Sequence, residues 1–131
     1  MATRLPVGPF RDQTFVAAED LSDCQYHFIL INSSGLAEVG ADGEKCVGIL
    51  QNAPEAGEQA CVRTAGESYL MTDGTSDIAI NDHLDSDASG HGVVMSSDQG
   101  VYSAIAREAY TSSTPGLTVV DIQFGSLSVG S

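Results

Sequence analysis

Tyr26-His27-Phe28-Ile29-Leu30-Ile31, closed at once by Asn32-Ser33-Ser34-Gly35, is the stretch on which the fold turns. A short apolar run ended by a cluster of turn formers reads as a strand running into a tight turn. Its residues are apolar on both faces, so it needs cover on both, either as a central strand or against a subunit. The same grammar recurs at residues 45–51, 59–64, 67–71, 92–95, 101–106 and 117–124. Ala41-Asp42-Gly43, Asp73-Gly74, Ala88-Ser89-Gly90 and Pro115-Gly116 supply the punctuation. In the last run Val120, Ile122 and Phe124 share one face by period-two alternation. Many short strands at this spacing predict an all-β fold, a small β-barrel or β-sandwich with at most one short helix. Residues 104–111 carry good helix formers but are assigned to a strand, while 78–87 read as a short helix or a loop.

The chain also carries a faint internal echo, mostly of small residues and turns, for which chance is the alternative to a true repeat. Ser34-Gly35 is echoed by Ser89-Gly90, Val47-Gly48-Ile49 by Ser103-Ala104-Ile105, Ala53 by Ala109, Gly57 by Gly116 and Val62 by Val119. The offset starts at 55 and drifts through 56 to larger values, which two related β-hairpin units closing one small barrel would explain.

The 131 residues suit one domain, and 42% apolar content is too much for a disordered acidic chain. Eighteen acidic residues against five basic ones give a formal charge of −13. Arg4, Arg11, Lys45, Arg63 and Arg107 are too few and too scattered for a phosphate-binding patch, which excludes nucleic acid and disfavours an anionic membrane surface. No run reaches the roughly 20 apolar residues of a membrane span. The segment from Met1 to Pro6 lacks the apolar stretch of a secretory signal. Cys24, Cys46 and Cys61, odd in number and widely spaced, fit reduced thiols in a cytoplasmic product better than a disulfide framework, with a Cys46–Cys61 bridge as the alternative.

Residues 1–20 differ from the single β-rich domain expected over 21–131. Pro6 and Pro9 enforce extended backbone, and Leu5, Val7, Phe10 and Phe15 alternate with them. Such a segment reads either as a frayed terminus or as an extended N-terminal arm that docks by adding a strand to a partner's sheet edge. Phe10 and Phe15 are its expected anchors, and Arg4 and Arg11 its partners for acidic groups.

Chemistry finds little footing. Gly90-His91-Gly92-Val93-Val94-Met95 starts like a dinucleotide fingerprint but ends on Met95 and lacks a βαβ setting. Phosphate-loop and nucleophile-elbow signatures are missing. The histidines, His27, His83 and His91, form no one-turn pair and the cysteines no Cys-x-x-Cys knuckle, so no zinc site is expected. Asp85-Ser86-Asp87-Ala88-Ser89-Gly90 opens like a calcium loop, with Asp85, Asp87 and Ser89 as candidate ligands, but Ser96 stands where that loop needs a bidentate Glu. A solvated acidic turn is the simpler reading. Asp121, inside the last strand, is expected to face outward. No catalytic residue, metal or cofactor is assigned.

Three strings carry a family resemblance: Val47-Gly48-Ile49-Leu50 with Ala53-Pro54-Glu55-Ala56-Gly57-Glu58 and Ala60-Cys61-Val62; then Ile80-Asn81-Asp82-His83-Leu84; then Ala104-Ile105-Ala106, Ala109 and Gly116-Leu117-Thr118-Val119. Over about residues 16–124 the chain resembles the small capsid decoration (cement) proteins of tailed bacteriophages. The resemblance implies a compact β-barrel or sandwich made in the host cytoplasm and bound to the outside of the virion shell, with no enzymatic activity and no cofactor. It implies the major capsid protein as partner and a homo-oligomer, often a trimer. Leu5, Val7, Phe10, Phe15, Arg4 and Arg11 would then form the capsid-binding arm. A calcium- or carbohydrate-binding β module is the alternative, as is another virion subunit, head–tail joining or fibre-associated.

Overall fold

The computed structural model describes every residue except 1–4, 43, 45, 76, 96–99, 112–113 and 128–131. Its strands are β1 (Arg11–Val16), β2 (Phe28–Ile31), β3 (Ala37–Val39), β4 (Gly48–Leu50), β5 (Gln59–Met71), β6 (His83–Ser86), β7 (Gly92–Val94), β8 (Gly100–Ala106) and β9 (Leu117–Leu127). The described residues contain no helix, and the fold is all-β, a curled antiparallel sheet forming a half-barrel. The order is β3-β2-β4-β5-β9-β8-β6-β7, with β1 paired to β5 off that path. Two expectations are corrected. Residues 59–64 and 67–71 are one continuous strand, and 83–86, read as helix or loop, is strand β6. The 104–111 segment leaves β8 at Ala106 and returns as a bridge between Tyr110 and Ile78.

The echo in the sequence is an internal duplication, and the pairing registers prove it. Ile29↔Val39 in β2–β3 recurs 55 residues later as Leu84↔Val94 in β6–β7. Phe28↔Ile49 recurs as His83↔Ile105, and Ile49↔Arg63 as Ile105↔Asp121. Phe15↔Ala60 recurs as Leu70↔Thr118, which makes β1 the counterpart of the second half of β5. The isolated parallel bridges also repeat, Ala17↔Ala37 as Thr72↔Gly92. So do the two left-handed non-glycine residues, Tyr26 (φ 69°) and Asn81 (φ 77°). The first unit comprises residues 11–65 and the second 66–127. Each curls one set of five strands back until its short third-position strand bridges the end of its first strand.

The units share β5. Residues 59–65 pair with β1 and residues 66–71 with β9. On the opposite edge Gln51 N–H bonds Cys61 O, and Met71 N–H bonds Tyr26 O. β1 and β9 therefore lie end to end along one edge. At the change of partner stands Gly66, with φ +94°, where a Cβ would collide with the Pro9 carbonyl oxygen. The register slips beside it, between Arg11 and Asp12. Such a bulge turns a strand out of one curl and into the next.

The core follows the duplication. Leu21, Ile29, Leu50, Ala60 and Val62 form one buried cluster within the first unit. Leu70, Ile78, Leu84, Ala106 and Val120 form the other within the second. To this second cluster the first unit adds Phe28, Cys46 and Ile49, carried on the opposite faces of its own strands. The two-sided apolar run thus gains its cover from within the chain: Ile29 packs into its own unit and Phe28 into the next.

Two substitutions test the seam. Gly66→Ala should cost about 2 kcal/mol or more, from the ~1–2 kcal/mol left-handed strain plus the collision with Pro9. Phe28→Ala, which empties a fully buried position between the units, should cost about 3–5 kcal/mol. Urea denaturation reads both; an unchanged midpoint for either contradicts this placement.

Candidate functional site

The surface least explained by folding is the segment ahead of β1. Leu5 is 74% exposed, Val7 55% and Phe10 45%, an apolar row along a strap that is not the extended arm expected: it bends at Gly8, where the Gly8–Pro9 bond is cis. It is held by its backbone and by one cation. Val7 N–H donates to Glu67 Oε1 (3.1 Å), and Pro9 lies over Gly66. The Arg63 guanidinium centre sits 3.7 Å from the Phe10 ring centroid, a cation–π contact. Arg63 also pairs Asp12 (Nε–Oδ1 2.8 Å) and donates to Glu67 O (3.1 Å). Arg63 and Glu67 organise this site, and the sequence reading assigned them no role. Both lie in a run read as strand, where alternation predicts a face but not a neighbour 50 residues away.

The six residues of the expected arm are thus divided. Leu5, Val7 and Phe10 line the strap. Arg11 opens β1 and is exposed, whereas Phe15 packs half-buried against the first unit's core. Arg4 lies outside the described residues. Residues 11–16 add a strand to a sheet edge as the arm was expected to do, but the edge is that of β5 in the same chain.

The calcium-like string is a turn of the repeat. Asp87 Oδ1 accepts the backbone N–H groups of Ser89 (2.8 Å) and His91 (2.9 Å). In the first unit Asn32 Oδ1 accepts those of Ser34 (2.9 Å) and Leu36 (3.1 Å) in the same geometry. Gly35 (φ 80°) and Gly90 (φ 81°) close the two turns. An acidic, small, polar, Gly spelling is what such a side-chain-capped turn requires. Asp85, two residues earlier, is in β6, and burial pushes its carboxyl up from the ordinary value. The described residues contain no group of three or more His, Cys, Asp or Glu placed to hold a metal ion. Ser96 lies outside the described residues.

Cys24, Cys46 and Cys61 are free thiols. A depression of about 340 Å³ lined by Arg11, Gln13, Cys46, Thr64 and Phe124, among others, lies beside the strap's root. Burial pushes the Cys46 thiol up to about 11, so it stays protonated and is a poor nucleophile. Asp121 is half-buried at the second unit's outer face and pairs Arg107 (3.4 Å).

Two histidines meet across the seam. The ring centroids of His27, in the first unit, and His91, in the second, are 4.6 Å apart. His27 Nδ1 lies 2.9 Å from Ser89 O, and burial pulls its pKa below 6.5, with His91 adding to the fall. His91 Nδ1 in turn lies 3.4 Å from Asp87 Oδ2, so the two rings end on a carboxylate.

In fold the chain is similar to the crystal structure of the head fibre gp8.5 N base in bacteriophage phi29, with a TM-score of 0.65 and 14% identity over 88% of this chain and 95% of that one. No family model matches the chain, and no curated protein matches it. At 14% identity the likeness is one of fold.

The His27 shift has a sign. Its folded pKa lies below the unfolded value of 6.5, so the unfolded chain binds the extra proton first. Its contribution to stability is complete above about 6.5 and is lost as pH falls from there through the folded pKa. Thermal unfolding from pH 8 to 5 should show a declining Tm below about 6.5, and His27→Gln should flatten that decline. A Tm of the wild-type chain that is level across this window contradicts the assignment.

Proposed function

We propose that this chain is a structural protein of a tailed-phage virion, seated on the outer surface of the head as a decoration or cement protein. It bridges neighbouring copies of the major capsid protein and works as a homo-oligomer, a trimer being favoured. The observation that carries this reading is the likeness in fold to the head-fibre base, which extends over 95% of that chain. The surface supports it. Leu5, Val7 and Phe10 present an apolar row whose burial against a shell would gain about 25 cal/mol per Å². A net charge of −13 keeps the rest of the molecule in solvent and opposes non-specific association. Multiple copies on a symmetric shell turn modest contacts into high avidity. No active centre or cofactor takes part.

A second reading, a fibre-associated subunit, is favoured by what the neighbouring structure is: the base of a head fibre. On this reading the same module anchors a projection instead of clamping the shell.

The test uses empty heads of the parent phage. Saturable binding is expected, with a rise in the temperature at which the heads rupture. Removing residues 1–9, which leaves β1 in place, should weaken binding at least tenfold while the circular dichroism spectrum is kept. Binding without any change in rupture temperature, together with loss of surface projections from virions lacking the protein, selects the fibre reading. A folded chain with no affinity for heads overturns both.

A further inference from the structure

We propose that copies of this chain associate head to tail, the outer face of the second unit of one copy seating on the β1 side of the first unit of the next. The contact would reproduce the one that already joins the two units inside each chain. This rests on the duplication and not on the head-binding reading, and its test needs no capsid.

Inside the chain the first unit grips the second through a small set of contacts. Met71 N–H donates to Tyr26 O (2.8 Å) and Phe28 N–H to Gly90 O (2.8 Å). Gln51 Nε2 donates to Ser68 Oγ (2.9 Å), and the Tyr26 and Tyr69 rings meet edge to face at 5.4 Å. The repeat gives each gripping residue a counterpart in the second unit: Asn81 for Tyr26, His83 for Phe28 and Arg107 for Gln51. It gives each gripped residue a counterpart in the first: Val16 for Met71, Gly35 for Gly90, Gln13 for Ser68 and Thr14 for Tyr69.

The gripped counterparts lie on the surface. Val16 is 43% exposed, and Gln13 and Thr14 are exposed although their β5 equivalents are covered. A Cβ on Gly35 would have nothing within 4 Å, whereas one on Gly90 meets Val39, Phe28 and His27. On the other face Asn81 is exposed and the adjacent Ile80 is 57% exposed. Among the described residues the route is open too. β5 leaves β4 after a pairing confined to Val62 and Arg63 and continues into the second unit. β9 instead stays on β8 as far as Gly100↔Leu127. The path taken by residues 66–71 beside the first unit is therefore not taken by β9 beside the second, and β1 of another copy fits it.

The composition suits partners that fold separately. Where the first unit offers Phe28, Ile49 and Cys46, permanently buried, the second offers His83 edge to face with Tyr102 (4.5 Å), with Ile105 and Arg107. Aromatic and arginine-bearing patches of mixed polarity are typical of interfaces between soluble proteins. Because the two contacting faces differ, the association is heterologous and yields a ring when its rotation closes. Mutual repulsion at −13 per copy is screened by salt, so association strengthens with ionic strength.

The test joins two proteins, each with one accessible cysteine, in a Cys24→Ser, Cys61→Ser background that leaves buried Cys46 in place. One carries Gln13→Cys, the other Arg107→Cys. With a short bis-maleimide reagent at 0.5 M salt, the mixture should give a covalent dimer and neither protein alone should. Gln13→Cys with Arg107→Cys in one chain should give a ladder or a closed oligomer. Light scattering should report a multimer for the wild-type chain and a mass at least halved for Val16→Glu, whose exposed site leaves the fold intact. Cross-linking of either single variant with itself, a monomer at all salt concentrations, or a folded mixture that gives no dimer overturns the proposal.

Discussion

One strand carries two loads. β5 is the last strand of the first unit and the first strand of the second, so the molecule cannot part its two units without breaking a continuous backbone ladder. The strand can do this because it bends where its partner changes. Gly66 has no side chain to meet Pro9 and takes a positive φ, and the neighbouring bulge adds twist. The strap, β1 and β9 all converge on this point. Arg63, three residues before the bend, ties the strap and β1 to β5 through Phe10, Asp12 and the Glu67 carbonyl.

The duplication explains why related positions carry unlike residues. Phe28 and His83 occupy the same place in the register, as do Arg63 and Asp121. The first of each pair lies at the seam, and the second lies on the outside of the last unit. Burial selects an aromatic hydrocarbon in one case and a titratable ring in the other. Turn positions diverged less, since Asn32 and Asp87 supply the same oxygen to the same two amides. Backbone demands were conserved between the units, and face chemistry was not.

How much was legible in the sequence follows from the same distinction. The strand-and-turn grammar identified the all-β class, while Ser34-Gly35 against Ser89-Gly90 was only a faint echo of the repeat, kept at the turns because turn geometry restricts residue choice tightly. The echo of Val62 in Val119 was one residue out; the register matches Val62 with Val120. Both valines are apolar, and the longer connection between β8 and β9 shifts the offset, which only pairing reveals. β1 was legible only as an extended arm, since Arg11-Asp12-Gln13-Thr14 shows the core no apolar residue and only Phe15 turns inward. β5 was divided because Ala65-Gly66 interrupts the apolar alternation, and continuity across a glycine is a matter of tertiary support. β6 was hidden by its acids, which spell a metal loop as readily as a strand edge. At the candidate site, Leu5, Val7 and Phe10 were legible as an apolar row, but the Arg63 clamp joins residues far apart in sequence and became visible only in the fold.

Native-state hydrogen exchange, followed amide by amide, tests most directly whether β5 makes the two repeats one structure. The amides of β2 and β4 in the first unit and of β6 and β8 in the second should open with one common free energy, matching that of β5 and of global unfolding. If one unit exchanges through an opening several kcal/mol cheaper than the other, with half of β5 released alongside it, the repeats are independent modules and the shared strand is merely a linker.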